Sequence, residues 1–508
     1  MTSLNPFLWL HPRIGGNLRT YLLAVAAFPV LVIVFAGFSY WVVDPKDRAP
    51  LDGVWLMIIS VAQGAFLLLL APAAVRRAVQ RDFQSGMIES HRISPMSNLT
   101  VVLGYMIGPP LQSMLLYAAS VALGTFFLSR FALTPGQAAV SGLGRILGGW
   151  YFAQGCLLVL AFAATAFVLV TALSSAGKTN ALTALMIAGI LGGWSIVYLV
   201  PGLALLLGLL STGVLLSWIL PVPTIRSDPG VIFTAAVLQL ATGLLLLGAA
   251  CRKFRAPHRS LFSIPAALLL LVVFGVALAA GAAASVRHAW LFADWGKDHL
   301  LQHIASVVAF MLVAQFAVVA AADRQFQRDR AAAFGLRAGS RGLDTRLVPI
   351  VLAALTAALF ALLLPLFEMN FPPVAPSELA KLWATVAAGL LLSFWTDYHL
   401  VVVLRRGKRL LVGLLIFIAM LKIAPVMIDT AANSIAQDAT GAPLPWRGFL
   451  AACSPIGTLL LSLEAHPALW PGLVVQVLPA IVATRWARRT RTALRTTPQV
   501  QPGTTPTT

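Results

Sequence analysis

Apolar residues in this chain come in long, unbroken blocks rather than in alternating or narrow helical stripes. Six blocks lie near 21–43, 54–75, 99–128, 146–172, 181–200 and 231–250, and six more near 261–284, 303–322, 347–367, 380–402, 410–428 and 471–485. Most reach about 20 residues, the length of helix that crosses a hydrocarbon core roughly 30 Å thick. A backbone in lipid must satisfy its own hydrogen bonds, and blocks this long and this unalternated are not barrel strands. The pattern therefore predicts an all-α, polytopic membrane protein of about twelve spanning helices. The first block is too long for a signal-peptide core and lacks a small-residue cleavage site, so it reads as a retained helix.

Two apolar stretches remain, 201–220 and 449–463. With a cytoplasmic N-terminus, the loops 76–98, 173–180, 251–260, 323–346, 403–409 and the C-terminal tail are cytoplasmic, and about 26 of the 36 Lys and Arg fall on that side. A further span at 201–220 would put the basic clusters around Arg252, Arg405 and Arg485 outside. Both stretches are therefore expected to be re-entrant or interfacial on the outer side. Pro201, Gly202, Gly208 and Gly213, and Pro455 with Gly457, suit broken helices buried in protein.

The two sets of six helices share a layout: a basic loop after the second, a short basic loop after the fourth, and an outer apolar insertion before the sixth. Residues 73–82 and 320–329 share the pattern A-A-x-x-R-x-x-Q-R-D at the same place in each half. An even helix count makes the repeat parallel, related about the membrane normal. The expected organisation is an interfacial N-terminal helix over 1–20, six-helix units over 21–255 and 256–489, and a Thr- and Pro-rich disordered tail over 490–508.

Composition agrees. The 508 residues are 59% hydrophobic and only 10% charged, against about 25% charged in soluble domains. The net charge of +19 is explained by Lys and Arg gathered in loops on one side of a bilayer. No basic stretch carries interleaved aromatics, so nucleic acid is not an expected partner. Cys156, Cys251 and Cys453 have neither metal-ligand spacing nor a disulfide framework.

The most informative polar stretch runs from Arg81 to Ser97 and contains Asp82, Gly86, Glu89, Ser94 and Pro95 in the order acid-x-x-x-G-x-x-E-x-x-x-x-[ST]-P. This resembles the loop after the second helix in type-2 permeases of ATP-binding-cassette (ABC) exporters. Asn5-Pro6 with its Leu, Trp and Phe lead-in is similar to that family's connecting helix, and residues 173–181 to its loop between the fourth and fifth helices. The likeness covers most of 1–255. The second half keeps Gln327, Arg328 and Asp329 but follows them with Arg330-Ala331-Ala332-Ala333-Phe334-Gly335-Leu336-Arg337, without the Glu or the Ser-Pro.

The resemblance implies a permease subunit without catalytic residues of its own; with so few charges in the membrane blocks its path should be mostly apolar, which favours a hydrophobic or lipid-like substrate over ions. It implies a short cytoplasmic helix in the 81–97 loop that docks on a dimeric cytoplasmic ABC ATPase. ATP and Mg would act in that partner, with no cofactor in this chain, and accessory transport subunits are compatible with the scheme. The chain has no phosphate loop of its own: Gly177-Lys178-Thr179 lacks the upstream Gly, position 172 being Ala, and joins two membrane helices. The expected location is a cell inner membrane with both termini cytoplasmic.

Two other classes compete. An ion-coupled secondary transporter needs acids in the membrane. The candidates are Asp397, read here as an interfacial partner of the arginines from Arg405 onward, and Asp429, read with Lys422 as snorkelling near an outer helix end. A membrane-embedded transferase needs clustered acids or a metal. Asp44, Asp47, Asp52 and Glu368 are scattered, and His288, His299 and His303 beside Asp294 and Asp298 come nearest to a cluster. Tyr40, Trp41, Trp150, Tyr151 and Trp290 are expected to form an aromatic belt at helix ends.

Overall fold

The computed structural model describes residues 18–43, 49–93, 95–132, 143–174, 229–257, 259–288, 299–333, 344–369, 375–404, 421–422, 424–442, 444–445 and 447–496. These residues form helices and connecting turns, with no strand among them. Ten of the helices are long and apolar enough to cross a membrane, at ten of the twelve places the hydrophobic blocks mark. The blocks at 181–200 and most of 410–428, the insertion at 201–220, Trp290 and the termini outside 18–496 lie outside the described residues. The chain is a multi-pass helical membrane protein.

By packing it divides into two compact units, Met1–Leu261 with Val272–Asp298, and Phe262–Leu271 with His299–Thr508. In the first unit, α1 is Leu18–Val42. Next comes one continuous run: α2 (Ala49–Gly64), a π-helical segment (Ala65–Leu70) and α3 (Ala71–Gln84). The spanning part of that run, Leu51–Gln84, is 34 residues long. The π-segment follows Gln63, a fully buried side chain whose Oε1 accepts from Gln154 Nε2 at 3.0 Å, while Gln154 Oε1 accepts from Tyr117 at 2.9 Å. A wider helical turn beside a buried polar chain is a common place for such a bulge.

The block at 99–128 is two helices, α5 (Asn98–Ile107) and α6 (Leu111–Ala132). Pro109 and Pro110 supply no N–H groups, and the helical ladder stops there. The unit continues with α7 (Leu143–Ser174) and α8 (Pro229–Arg255), whose mutual packing is its most extensive. Trp150 is not a belt residue: it is 4% exposed, packed with Leu56, Leu128 and Ala153, its ring lying over Gly124. Trp41 and Tyr151 are exposed, as a belt requires, whereas Tyr40 donates to the buried Asp52 and lies under Arg130.

Helix α9 (Ile264–His288) contributes to both units. The second unit holds α10 (His299–Ala333), α11 (Val348–Leu366), α12 (Pro376–Leu404), α13 (Ala424–Thr440), the short α14 (Phe449–Ala452) and α15 (Pro455–Ser462), and α16 (Leu469–Thr496). Its most extensive packing is between α12 and α16.

The stretch 449–463 is a broken helix. At 8 residues α15 is about 12 Å long, too short to span. The break falls at Cys453–Ser454, where Ser454 accepts from Gly457 N at 3.0 Å and Pro455 starts the new helix. The carbonyl of Ala452 left over at the break accepts from Gln476 Nε2 on α16 at 2.8 Å, so no lone acceptor is stranded.

Candidate functional site: the helical elbow after the second span

On α3 the buried residues are Ala71, Pro72, Val75, Ala78, Val79 and Asp82, one stripe at helical spacing. The arginines Arg76, Arg77 and Arg81 fall off that stripe. The helix ends at Ser85, and Gly86, at φ +74°, turns the chain in the left-handed region that glycine enters without strain. A separate seven-residue helix, α4 (Met87–Ile93), follows.

The elbow is braced from within. Asp82, 4% exposed, accepts a hydrogen bond from Tyr105 on α5 and lies 3.7 Å from His91 Nε2. Ile88 is buried, and Arg92 donates through Nε to the carbonyl of Phe254 at the end of α8, 2.9 Å away. Arg92 also pairs with Glu89 one turn earlier. On the outside, the Glu89 side chain is 69% exposed, Ile93 is 87% exposed, and Met87 and Pro95 are exposed as well.

The resemblance-derived residues thus divide by role. Asp82 braces the elbow from inside, Gly86 turns it at the surface, Arg81, Glu89 and Pro95 face outward, and Ser94 lies outside the described residues. In the second unit Gln327, Arg328 and Asp329 stay on the continuous α10, with Gln327 exposed and reaching Asp323 at 3.2 Å. Asp329 accepts from Gln325 Nε2 at 2.8 Å, and Gln325 in turn accepts from Thr345, which accepts from Tyr398. Each aligned aspartate is therefore tied to a tyrosine of a later helix, directly in one unit and through two side chains in the other.

Burial pushes the His91 imidazole below its ordinary 6.5, outweighing the nearby Asp82 carboxylate, which pulls it up. A histidine with a depressed folded pKa favours the folded elbow above 6.5 and loses that contribution as pH falls through the folded value. Amide exchange over 85–97, corrected for intrinsic rate, should accelerate between pH 7 and pH 5 in the wild type and change less in His91→Gln. Equal pH sensitivity in both would exclude His91 as the cause.

Three expectations from sequence need correction. Asp397 is not an interfacial residue: it is fully buried, 2.6 Å from Lys422 Nζ, and accepts from Gln315 Nε2 at 2.9 Å, while the arginines from Arg405 onward lie outside the described residues. Lys422 does not snorkel, being 5% exposed with its ammonium also 5.8 Å from the Phe394 ring centre. Asp429, 6% exposed, accepts from Gly448 N at 3.0 Å and from Asn433, fastening the start of the broken helix instead of reaching for water. The common cause is that a charge held in a low-dielectric interior takes whichever partner packing supplies.

His303 stands in α10 between the rings of Phe360 and Phe367, at 4.8 and 6.0 Å. Among the described residues no group of three or more His, Cys, Asp or Glu could hold a metal, and Asp294 and Asp298 lie outside them. Compared with protein-family models, curated proteins and solved structures, the chain matches none.

Proposed function

We propose that this protein is the membrane subunit of an ATP-driven exporter, two six-helix permease units fused in tandem, with ATP and Mg handled by a separate dimeric ATPase. The observation that carries the reading is the elbow: a short helix fixed at its base, with Glu89 exposed on it. A partner's groove must release and regrip such a helix in every cycle, and exposed charge tunes docking without locking it.

The tandem arrangement is supported by the shared packing of the units. In each, the second helix is the longest candidate span among the described residues, 34 residues at Leu51–Gln84 and 31 at His299–Asp329. In each, the fourth and sixth helices make the largest contact among the described residues, α7 with α8 and α12 with α16. The distribution of Lys and Arg supports a cytoplasmic elbow and cytoplasmic termini, in the inner membrane proposed for the protein. In the second unit α10 runs unbroken to Ala333, and the sequence after Asp329 lacks the Glu and the Ser-Pro of the first, so the first unit is the stronger docking partner.

Purification in mild detergent from the native host, followed by mass spectrometry, tests this. An ABC ATPase should accompany the wild type and be lost from Glu89→Arg, whose fold is checked by its melting profile. A well-folded Glu89→Arg retaining the same partner, or no ATPase with the wild type, would defeat the proposal.

The buried Asp397–Lys422 pair favours a second reading, an ion-coupled secondary transporter, because it sets an acid within a spanning helix. That protein would move its substrate into vesicles on a proton or sodium gradient without ATP.

A further inference from the structure

At the end of the second spanning helix away from the elbow, three helix ends meet around an ion pair. Asp52 stands in the first turn of α2 and Arg130 in the last turn of α6, the ends at which a helix favours an acid and a base. Tyr40, near the end of α1, donates to Asp52 Oδ1, and Arg130 Nε lies 3.6 Å from the same oxygen. The candidate spans these residues belong to reach their limits at Val42, Leu51 and Arg130. The cluster therefore marks an edge of the hydrocarbon core, about 48 Å along the second helix from Gln84.

Arg130 is the exposed member. Its side chain is 47% exposed, against 6% for Asp52. The guanidinium carbon lies 4.7 Å from the Tyr40 ring centre and 5.9 Å from that of Phe126, so aromatic rings seat the flat group. At 3.6 Å the carboxylate balances its charge without making a short hydrogen bond. Among the described residues Arg130 makes no hydrogen bond, although a guanidinium carries five N–H donors in a fixed fork.

Exposed apolar surface lies beside it. Phe38, Trp41, Val42 and Phe126 are between 53% and 79% exposed, with Phe126 one helical turn from Arg130 towards the middle of its span. An arginine fork matches the paired oxygens of a phosphate. At the edge of the core a phospholipid carries its phosphate directly above its own acyl chains, so one molecule meets the guanidinium and the apolar surface together. Free phosphate would use the guanidinium alone. Because Asp52 already balances Arg130, the contact rests on hydrogen bonds to the phosphate and not on a basic patch attracting anionic lipid.

We infer that Arg130, seated against Tyr40 and Phe126, binds the phosphodiester headgroup of a membrane phospholipid whose acyl chains lie over Phe126 and the end of α1. The site does not depend on how transport is powered, and its test does not involve the ATPase partner.

The full-length protein in dodecyl maltoside would be titrated with a phosphatidylcholine carrying a diazirine high on one acyl chain, photolysed, digested and mapped by mass spectrometry. The face of α8 around Leu244, 54% exposed, is the reference for unspecific lipid contact. Residues 34–42 and 122–130 should label at lower lipid concentration than the reference, and unlabelled phosphatidylcholine should displace the label. A galactosyl diacylglycerol with the same chains and no phosphate should need about a tenfold higher concentration, the size of one hydrogen bond to a charged group. Inorganic phosphate should not displace the lipid.

Arg130→Gln should raise the half-saturating lipid concentration at these two segments about tenfold and leave the reference unchanged. Asp52→Asn/Arg130→Gln should do the same without stranding a buried acid, which keeps the test decisive if the single variant folds poorly. The inference is overturned if the two segments label no more tightly than the reference, if galactosyl diacylglycerol competes as well as phosphatidylcholine, if inorganic phosphate displaces the lipid, or if the folded double variant binds like the wild type.

Discussion

Lys422→Met is expected to destabilise the protein by about 3–5 kcal/mol, the cost of leaving one member of a buried ion pair alone. The Asp397 side chain it abandons is fully buried and 2.6 Å from the lost ammonium. Gln315 remains as one donor, and one neutral hydrogen bond does not replace a charge in a low-dielectric interior. The double variant Asp397→Asn/Lys422→Met removes both charges, keeps a partner for Gln315, and should recover most of the loss. Thermal melts of wild type, both single variants and the double variant in one mild detergent form a complete cycle. If Lys422→Met melted with the wild type, the pair would not exist in the folded protein.

That pair also shows where the sequence stops being legible. The ten described spans are readable because each requires only an uninterrupted apolar run, a property of neighbours in the chain. Their ends are less so. The second helix continues to Gln84, past the apolar block at 54–75, because Val75, Ala78, Val79 and Asp82 keep a buried stripe beneath Arg76, Arg77 and Arg81. At 108–110 the Pro109-Pro110 pair breaks a block that hydrophobicity alone reads as continuous.

Partners of charged groups are a tertiary property. Asp397 lies two turns from a basic cluster in sequence, yet its cation comes from position 422 and its amide from position 315 on another helix. The elbow divides the same way. Gly86 and the exposed Glu89 follow from motif and spacing, whereas the bracing of Asp82 by Tyr105 and of Arg92 by the Phe254 carbonyl needs the folded chain. Trp150 behaves similarly, since nothing local says that Gly124 leaves room for an indole.

Gly457→Ala should be strongly destabilising, at the upper end of the roughly 1–3 kcal/mol typical of overpacking or beyond it. A β-carbon there would stand 1.9 Å from the carbonyl oxygen of Ala451 and 2.3 Å from its carbon, and Gly472→Ala would meet the Ala452 backbone at 2.4 Å. These neighbours are backbone atoms, so no side-chain rotation relieves the clash and the broken helix itself must move. Movement would draw the Ala452 carbonyl away from Gln476 and strand a buried acceptor, a further cost of about 1–3 kcal/mol. The sign is diagnostic, because Gly→Ala in an unobstructed helix interior stabilises by up to about 1 kcal/mol. Gly155→Ala and Gly248→Ala, where a β-carbon meets nothing within 4 Å, should melt at or above the wild-type temperature. Gly457→Ala and Gly472→Ala should melt well below it. If all four behaved alike, α14 and α15 would not pack against each other and α16 through backbone contact, and the break at Ser454 would need another explanation.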